Sequence, residues 1–243
     1  TDQPTASTLT MTDLKPADLE ALSQWDTPTI CNGLELIDAK YRTSSFTREN
    51  MVCFDPTLKP IVGYARTALI RAVTPPPGDP AAVREMRARY YAHVAEQPMP
   101  SIAVLQDLDP NPGFGAFWGE VNTAIHKGLG CLGTVTNGSF RDLDACAPGF
   151  QLLGGKVAPS HAWVHLADIA CEVNVFGMVV RPNDIVHADR HGAVVVPADC
   201  VKQLPAAIDL LTRREAVILK VARAPGFNIE ILKKAMADSA EIH

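Results

Sequence analysis

The order of apolar and polar positions predicts helices at both ends of the chain and a mixture of strands and helices between them. Leucines at helical spacing predict a first helix over residues 14–25, and a second helix begins near Thr27. The long β-branched segment 61–73 is typical of a strand. Asp79 followed by proline is a helix-start signal, and this helix is predicted to reach about residue 96.

Strands and helices alternate through the centre of the chain. Residues 101–108 and 131–136 are short apolar runs of the kind buried in parallel sheets, and residues 118–129 between them read as a helix. The pattern then becomes β-like and finally helical, with extended segments at 151–157, 173–180, 184–188 and 193–196, a hairpin turn at 190–192, and helices at 199–222 and 228–238. This order predicts a layered α/β fold with helical N- and C-terminal extensions.

The chain length bounds the domain organisation. A chain of 243 residues, 47% hydrophobic and 20% charged, is typical of one globular domain, and we expect that domain to span residues 13–243. Residues 1–12 are small and polar, which predicts a flexible tail without signal-peptide character. No apolar run reaches the roughly 18 residues that a membrane span needs. We therefore expect a cytoplasmic protein with no membrane association.

Charge and cysteine content narrow the function classes. A net charge of −5 argues against nucleic acid as a partner, because phosphate binding needs clustered cations. Arg84, Arg87 and Arg89 form the one basic cluster, and their helical spacing predicts a solvated helix face. The six cysteines form no C-x-x-C pair, so buried free thiols are favoured over zinc ligands or disulfides.

The segment 119–142 carries the chemistry. Glu120 is separated from Arg141 by twenty residues, and Asp142 follows at once. Arg141 and Asp142 come after the predicted strand 131–136 and the turn dipeptide Asn137-Gly138, at the end of a strand where α/β sheets bind ligands. A guanidinium matches a carboxylate or an enolate oxygen, and a carboxylate suits Mg²⁺. The alternative is a local ion pair.

Gly119 and Glu120 stand where a glycine-punctuated loop enters a helix. Free amides at a helix start bind anions, and a glycine there lets a substrate carboxylate approach the main chain. Glu120 is suited to accept a proton directly or through a water at a metal. The alternative is that Glu120 simply stabilises the first turn of the helix.

The spacing of these residues resembles the D/E-X20-R-D motif of the class II pyruvate aldolases. That family acts on 4-hydroxy-4-methyl-2-oxoglutarate and 4-carboxy-4-hydroxy-2-oxoadipate, and it shares a superfamily with the regulators of ribonuclease activity A. The similarity continues through residues 128–138, 180–189 and 192–197, and covers about residues 25–220. It implies a swivelling-type α/β/α domain and homotrimers or homohexamers with sites at subunit interfaces.

The resemblance also implies a role for each residue. Asp142 would hold the metal, Mg²⁺, Mn²⁺ or another divalent ion, and Arg141 would contact the developing enolate. The backbone of Gly119, Glu120, Val121 and Asn122 would hold the substrate carboxylate, with Glu120 as proton acceptor. Glu215 lies near where the family brings a glutamate from a neighbouring subunit. The implied reaction cleaves a 2-oxo acid to pyruvate, and oxaloacetate decarboxylation passes through the same enolate.

Several positions depart from the family pattern and leave the substrate open. The common family pattern is not followed at residues 149–153 or at His161 and His187. Asn32-Gly33 stands where many relatives have an acidic residue. His161 either contacts a substrate acid group or is a structural histidine.

Two other function classes compete with the metal-dependent lyase. One is a non-catalytic binding module of the ribonuclease-regulator type, which the complete Glu120, Arg141 and Asp142 set disfavours. The other is a class I aldolase with Lys156 as Schiff base, which no neighbouring acid–base pattern supports. Methyl transfer is disfavoured because no glycine-rich nucleotide signature is present.

Overall fold

A computed structural model describes residues 14–243, so the tail predicted for residues 1–12 lies outside the described residues. Helices occupy both ends of the described chain, and two further helices lie in the centre. They are α1 (Pro16–Leu22), α2 (Thr27–Ile37), α3 (Pro80–Val94), α4 (Glu120–Gly128), α5 (Ala198–Val201), α6 (Leu204–Ala222) and α7 (Ile229–Ala240), with a short 3₁₀ helix at Ala39–Arg42. Within residues 14–243, every helix is too short or too polar to cross a membrane.

Thirteen strands are found in the described chain. They are β1 (Val52–Cys53), β2 (Ile61–Arg71), β3 (Ser101–Asp107), β4 (Ala116–Trp118), β5 (Cys131–Thr136), β6 (Ser139–Phe140), β7 (Gln151–Gly154), β8 (Lys156–Val157), β9 (His165–Ile169), β10 (Val173–Val175), β11 (Met178–Val180), β12 (Ile185–Asp189) and β13 (Gly192–Val196). Eight of them form the main sheet, in the order β1-β7-β5-β3-β2-β12-β13 with β9 also paired to β2.

The long strand β2 organises this sheet. One edge pairs in parallel with β3, which continues in parallel to β5 and β7. The other edge is shared by two antiparallel strands, with β12 along the first part of β2 and β9 along the last part. Most residues of β2 are apolar, and its first eight residues, Arg66 included, are all buried, as expected for a strand with both faces covered.

The two faces of the main sheet are covered differently. Helices α1, α2 and α6 pack on one face over Val62, Tyr64 and the strands β12 and β13. Tyr90 and Val94 of α3 pack farther along the same face, over Ala68 and Ile70. The β10–β11 hairpin covers the opposite face. The α/β class and the helical extensions at both ends are confirmed.

A second, smaller sheet positions the charged motif. Strands β4, β6 and β8 run parallel to one another, in that order. Ala116 pairs with Ser139 and Trp118 with Phe140, and Phe140 pairs in turn with Val157. Each of these strands has only two or three residues, and β4 is followed directly by α4.

Several predicted elements are subdivided. Trp118 belongs to β4, so the helix predicted for 118–129 begins at Glu120. The segment 151–157 is two strands in two sheets, and 173–180 is a hairpin turned by Phe176 and Gly177 at positive φ. The helix predicted for 199–222 breaks before Leu204, because Pro205 cannot continue an earlier helix. Strand β9 was not predicted.

Candidate functional site

The parallel register of β4 and β6 brings the two halves of the charged motif together. Because Trp118 is paired with Phe140, the residues that follow them, Gly119 and Arg141, lie side by side at the carboxyl ends of the two strands. The amide of Arg141 donates to the carbonyl of Trp118 at 3.0 Å and fixes this register. Residues about twenty positions apart in the sequence therefore meet at one edge of the small sheet.

The carboxylate of Asp142 is held at the start of α4. Its Oδ2 accepts a hydrogen bond from the amide of Glu120 at 3.2 Å. Gly119, at the N-cap position, has no side chain to satisfy that amide, so Asp142 acts as the cap from a neighbouring strand. Asp142 has φ of +56°, a left-handed conformation that Asp tolerates better than most residues.

The guanidinium of Arg141 lies beside the same carboxylate. Its Nε is 3.7 Å from Oδ2 of Asp142, and the two side chains are 35% and 34% exposed. Oδ1 of Asp142 accepts no hydrogen bond from residues 14–243. The pair therefore presents one positive group and one free carboxylate oxygen toward solvent.

A cavity of about 440 Å³ opens beside this pair. Six of the residues singled out from the sequence line it, namely Gly119, Val121, Asn122, Arg141, Asp142 and His161. Val121 and Asn122 are in the first turn of α4, and their amides donate to no acceptor in the described chain. These free amides are suited to an anion, as the helix start predicted.

Two of the predicted catalytic residues lie outside the cavity wall. Glu120 is exposed, and its carboxylate makes no ion pair or hydrogen bond with residues 14–243. Glu215 is exposed on α6, a helix that packs against α2 and α7 rather than against the cavity. Within one chain the structure does not bring Glu215 together with Arg141.

A buried network fixes Asn122, and sequence reasoning missed it. The amide group of Asn122 donates from Nδ2 to the carbonyl of Phe117 at 2.6 Å and accepts at Oδ1 from the hydroxyl of Tyr91 at 2.7 Å. Nδ1 of His126 donates to the Asn122 carbonyl at 2.6 Å. The signal available in the sequence was the i, i+4 spacing of Asn122 and His126.

His126 is neutral within this network. Burial lowers the pKa of His126 from 6.5 to about 4. Since Nδ1 donates to a carbonyl, the neutral ring accepts at Nε2, and the hydroxyl of Tyr90 donates to it at 2.9 Å. Tyr90 and Tyr91 both keep their protons, because burial also raises the pKa of each phenol.

Three further histidines have distinct positions. His161 lines the cavity and is exposed, and its Nδ1 donates to the carbonyl of Ala162. His165, which the sequence did not single out, lines the cavity from β9 and donates from Nδ1 to the carbonyl of Trp163. His187 is fully buried and bonded to Thr27, and burial lowers its pKa, so it is structural.

Helix α3 contributes lining residues to the same cavity. Val83, Arg87 and Tyr91 line the cavity and are spaced four residues apart, which places them on one face of the helix. The basic cluster is exposed as predicted, but Arg87 also belongs to the cavity wall. The prediction of a solvated helix face is correct, and Arg87 in addition lines the cavity.

The donor set fits a hydrated hard cation. No group of three or more His, Cys, Asp or Glu side chains between residues 14 and 243 is arranged to hold a metal ion. Mg²⁺ keeps several waters and binds through one or two carboxylates, so the free Oδ1 of Asp142 is a sufficient protein ligand. Soft metals that need cysteine or histidine clusters do not fit these residues.

Other candidate groups lie apart from the cavity. Lys156 is exposed on β8 and does not line it. Gly33 packs against α6, where an added Cβ would come within 2.8 Å of Leu204, so the Asn32-Gly33 departure does not shape the cavity. All six cysteines are free thiols, as predicted, but only Cys131, Cys146 and Cys200 are buried. Burial raises the pKa of Cys131 to about 11, which makes it a poor nucleophile.

Comparison with known proteins identifies relatives by sequence. An RraA-like family model, described as aldolase/RraA, matches residues 27–195. Protein DlpA of Legionella pneumophila subsp. pneumophila is 28% identical over 126 residues, a match that covers 46% of this chain and 19% of that protein. The chain therefore spans much less than two thirds of the length of this curated relative.

Solved structures share the fold. An uncharacterized protein from Pseudomonas syringae pv. tomato superimposes with a TM-score of 0.69 at 18% identity, over 93% of this chain and 95% of that one. RraAS2 of Streptomyces coelicolor, described as an unusual member of the RNase ES inhibitor RraA protein family, gives a TM-score of 0.64 at 21% identity, over 83% and 96%. At these identities the likeness shows the fold alone.

Proposed function

This chain belongs to the aldolase/RraA family, and from that premise we propose that it is a divalent-metal-dependent carbon–carbon lyase. Its substrate is a 4-hydroxy-2-oxo acid, which it cleaves to pyruvate and a second oxo acid through a pyruvate enolate. Decarboxylation of oxaloacetate is a second activity, because loss of CO₂ from that substrate leaves the same enolate.

One observation carries this proposal. The guanidinium of Arg141 and the carboxylate of Asp142 meet at the edge of a cavity, beside the free amides of Val121 and Asn122. A 2-oxo acid has a carboxylate and a keto oxygen on adjacent carbons, so it needs an anion site and a positive group side by side. This arrangement supplies both within one cavity.

Each residue has one task in the mechanism. The amides of Val121 and Asn122 bind the substrate carboxylate at the start of α4. Arg141 is a fixed positive charge where negative charge develops on the keto oxygen. Asp142 would hold the divalent metal ion, and such an ion, when bound, acts as a Lewis acid for the 2-oxo group.

Proton transfer completes the cleavage. A base removes the proton of the 4-hydroxyl group, the C3–C4 bond breaks, and its electron pair forms the enolate, which is then protonated at C3 to give pyruvate. We assign the base to Glu120, which begins α4 beside the cavity and has an unpaired carboxylate. Because that carboxylate lies outside the cavity wall, it takes the proton through a water. We assign Glu215 of a second subunit to the open side of the cavity, in a homotrimer or homohexamer.

The reaction is tested by measuring pyruvate. The purified protein is incubated with oxaloacetate or 4-hydroxy-4-methyl-2-oxoglutarate, with Mg²⁺ or with a chelator. We expect turnover that the chelator removes and Mg²⁺ restores, and a loss of about 100-fold or more in Arg141→Ala. Arg181→Ala, which removes an exposed arginine outside the cavity, is the control. A rate of pyruvate formation that does not change when chelator is added, or when Arg141 is replaced, contradicts the mechanism.

The alternative is a non-catalytic regulator. The family model that matches this chain is described as aldolase/RraA, so the family description includes RraA as well as aldolases. The Arg141–Asp142 pair inside a cavity favours the enzyme. Absence of turnover with every 2-oxo acid tested, together with inhibition of a purified RNase E-type ribonuclease, would establish the regulator instead.

A further inference from the structure

A second space lies beside the cavity. This space, here called the outer groove, has a volume of about 280 Å³ and lies between α3 and β9. It shares five lining residues with the main cavity, namely Pro76, Val83, Arg87, His165 and Leu166. The two spaces are therefore adjacent, with Arg87 among the residues that line both.

Among residues 14–243, Arg87 has no hydrogen-bond or ion-pair partner. Its guanidinium lies within 4.0 Å of no carboxylate in residues 14–243, and it makes no hydrogen bond there. Its charge is nevertheless felt by Tyr91, one turn along α3, where it opposes the effect of burial on the phenol pKa. A free arginine on a cavity wall is suited to a carboxylate of a ligand, because its planar fork matches that group.

Arg71 adds a second cation at the far end of the outer groove. It is 3.9 Å from Oδ1 of Asp109, but Oδ2 of that buried carboxylate accepts the amides of Ala72 and Val73. Asp109 is thus a structural residue. Nη1 of Arg71 also donates to the carbonyl of Leu108 at 3.4 Å, while its Nε and Nη2 make no hydrogen bond with residues 14–243. No acidic residue of the described chain lines the outer groove.

The walls between the cations are apolar. Val83, Met86 and Leu166 line the groove between Arg87 and Arg71 and suit the carbon chain of a substrate. A molecule whose 2-oxo acid end lies at Arg141 therefore reaches Arg87, which lines both spaces, together with Val83 and Leu166. Met86 and Arg71 line only the outer groove. This order matches a short-chain acid with a carboxylate at each end.

We propose that Arg87, with Arg71 behind it, forms a subsite for a second carboxylate and selects diacids over monoacids. The proposal rests on the 2-oxo acid chemistry proposed for the same cavity, and it adds the residues that decide which 2-oxo acids bind. Arg87 is a specificity residue and takes no part in bond cleavage.

Binding measurements test the subsite without requiring turnover. Titration calorimetry compares 2-oxoglutarate with 2-oxopentanoate, which has the same chain length and lacks the second carboxylate. We expect the wild-type protein to bind 2-oxoglutarate about 10-fold more tightly, as one charged hydrogen-bonded contact predicts. Arg87→Gln removes this preference, and Arg71→Gln reduces it. Arg84→Gln, on the exposed side of the same helix, leaves it unchanged.

The outcomes separate this proposal from the proposed reaction. A preference for the diacid that depends on Arg87 supports the subsite even if neither acid type is turned over, in which case only the lyase activity is withdrawn. Equal affinity for the two acids, no binding of either acid, or an equal loss in Arg84→Gln and Arg87→Gln would overturn the subsite. Circular dichroism of each variant verifies the fold.

Discussion

A β-carbon on residue 119 would lie 2.5 Å from Oδ2 of Asp142, so glycine at this position is what allows the carboxylate to reach the start of α4. Gly119 has extended backbone dihedral angles, which any residue adopts, so the requirement is for space alone. The sequence pattern had suggested that this glycine admits a substrate carboxylate. In the structure it admits a carboxylate of the protein itself.

This contact predicts the effect of Gly119→Ala. The added methyl group displaces the Asp142 carboxylate, and we expect kcat/KM for pyruvate formation to fall by about 10-fold or more, the scale of a misplaced catalytic group. Gly128→Ala is the matched control in the same helix, because nothing lies within 4 Å of its added Cβ. Equal activity in the two variants would show that the position of Asp142 is irrelevant.

The variant Asp142→Asn removes the negative charge of residue 142 and keeps the shape of its side chain. Asparagine tolerates the left-handed conformation of residue 142 and still accepts from the amide of Glu120, so we expect the free energy of unfolding to change by less than about 1 kcal/mol. Loss of the charge should lower turnover by about 100-fold and weaken Mg²⁺ binding measured by calorimetry. Asp144→Asn, an exposed neighbour outside the cavity, should retain both properties.

Tyr91→Phe tests the network behind Asn122. Without the phenol, Oδ1 of Asn122 loses its donor, and the first turn of α4 is held less firmly. We expect a few-fold fall in kcat/KM and a loss of about 1 kcal/mol in the free energy of unfolding. Tyr64→Phe removes a hydroxyl that makes no hydrogen bond in the described chain, and its kinetics should match the wild type.

The buried His126 predicts how stability depends on pH. Its pKa is about 4 when folded and 6.5 at its ordinary value, so the unfolded chain binds a proton between these values that the folded chain does not. The stabilisation is complete above pH 6.5 and decreases as the pH falls to 4, by about 3 kcal/mol in the free energy of unfolding.

Urea unfolding at pH 7 and pH 4.5 measures this dependence. The difference in unfolding free energy between the two pH values should be smaller in His126→Gln than in the wild type, because the variant has no group to protonate. His243→Gln, at the exposed end of the chain, should keep the wild-type difference. An unchanged difference in His126→Gln would contradict a neutral, buried imidazole.

The positions of some site residues were predictable from the sequence, because these residues come directly after a strand or directly before a helix. Arg141 and Asp142 were expected after a strand and Gly119 before a helix, and both positions are correct. The strands that carry them, β4 and β6, have two or three residues, too few for periodicity to reveal. Their parallel register, which places Gly119 beside Arg141, comes from tertiary structure.

The cavity wall was not predictable in the same way. Arg87 looked like part of a solvated helix face, because the strand opposite it, β9, mixes polar and apolar residues and gives no strand signal. The pairing of β9 with the end of β2 creates the groove beside α3. The sequence pattern predicted α3 correctly, but it did not show that β9 packs beside this helix.

One edge of β2 is shared by β12 and β9, and the pairing with β9 has a consequence for how this protein can change over evolution. The charged pair Arg141–Asp142 follows the short strand β6, whereas α3 and β9 supply other lining residues of the cavity. Under the function proposed above, substitutions in α3 and β9 would change which acids bind while the charged pair keeps its geometry. The residues proposed for the reaction and those proposed for substrate selection thus lie on separate elements.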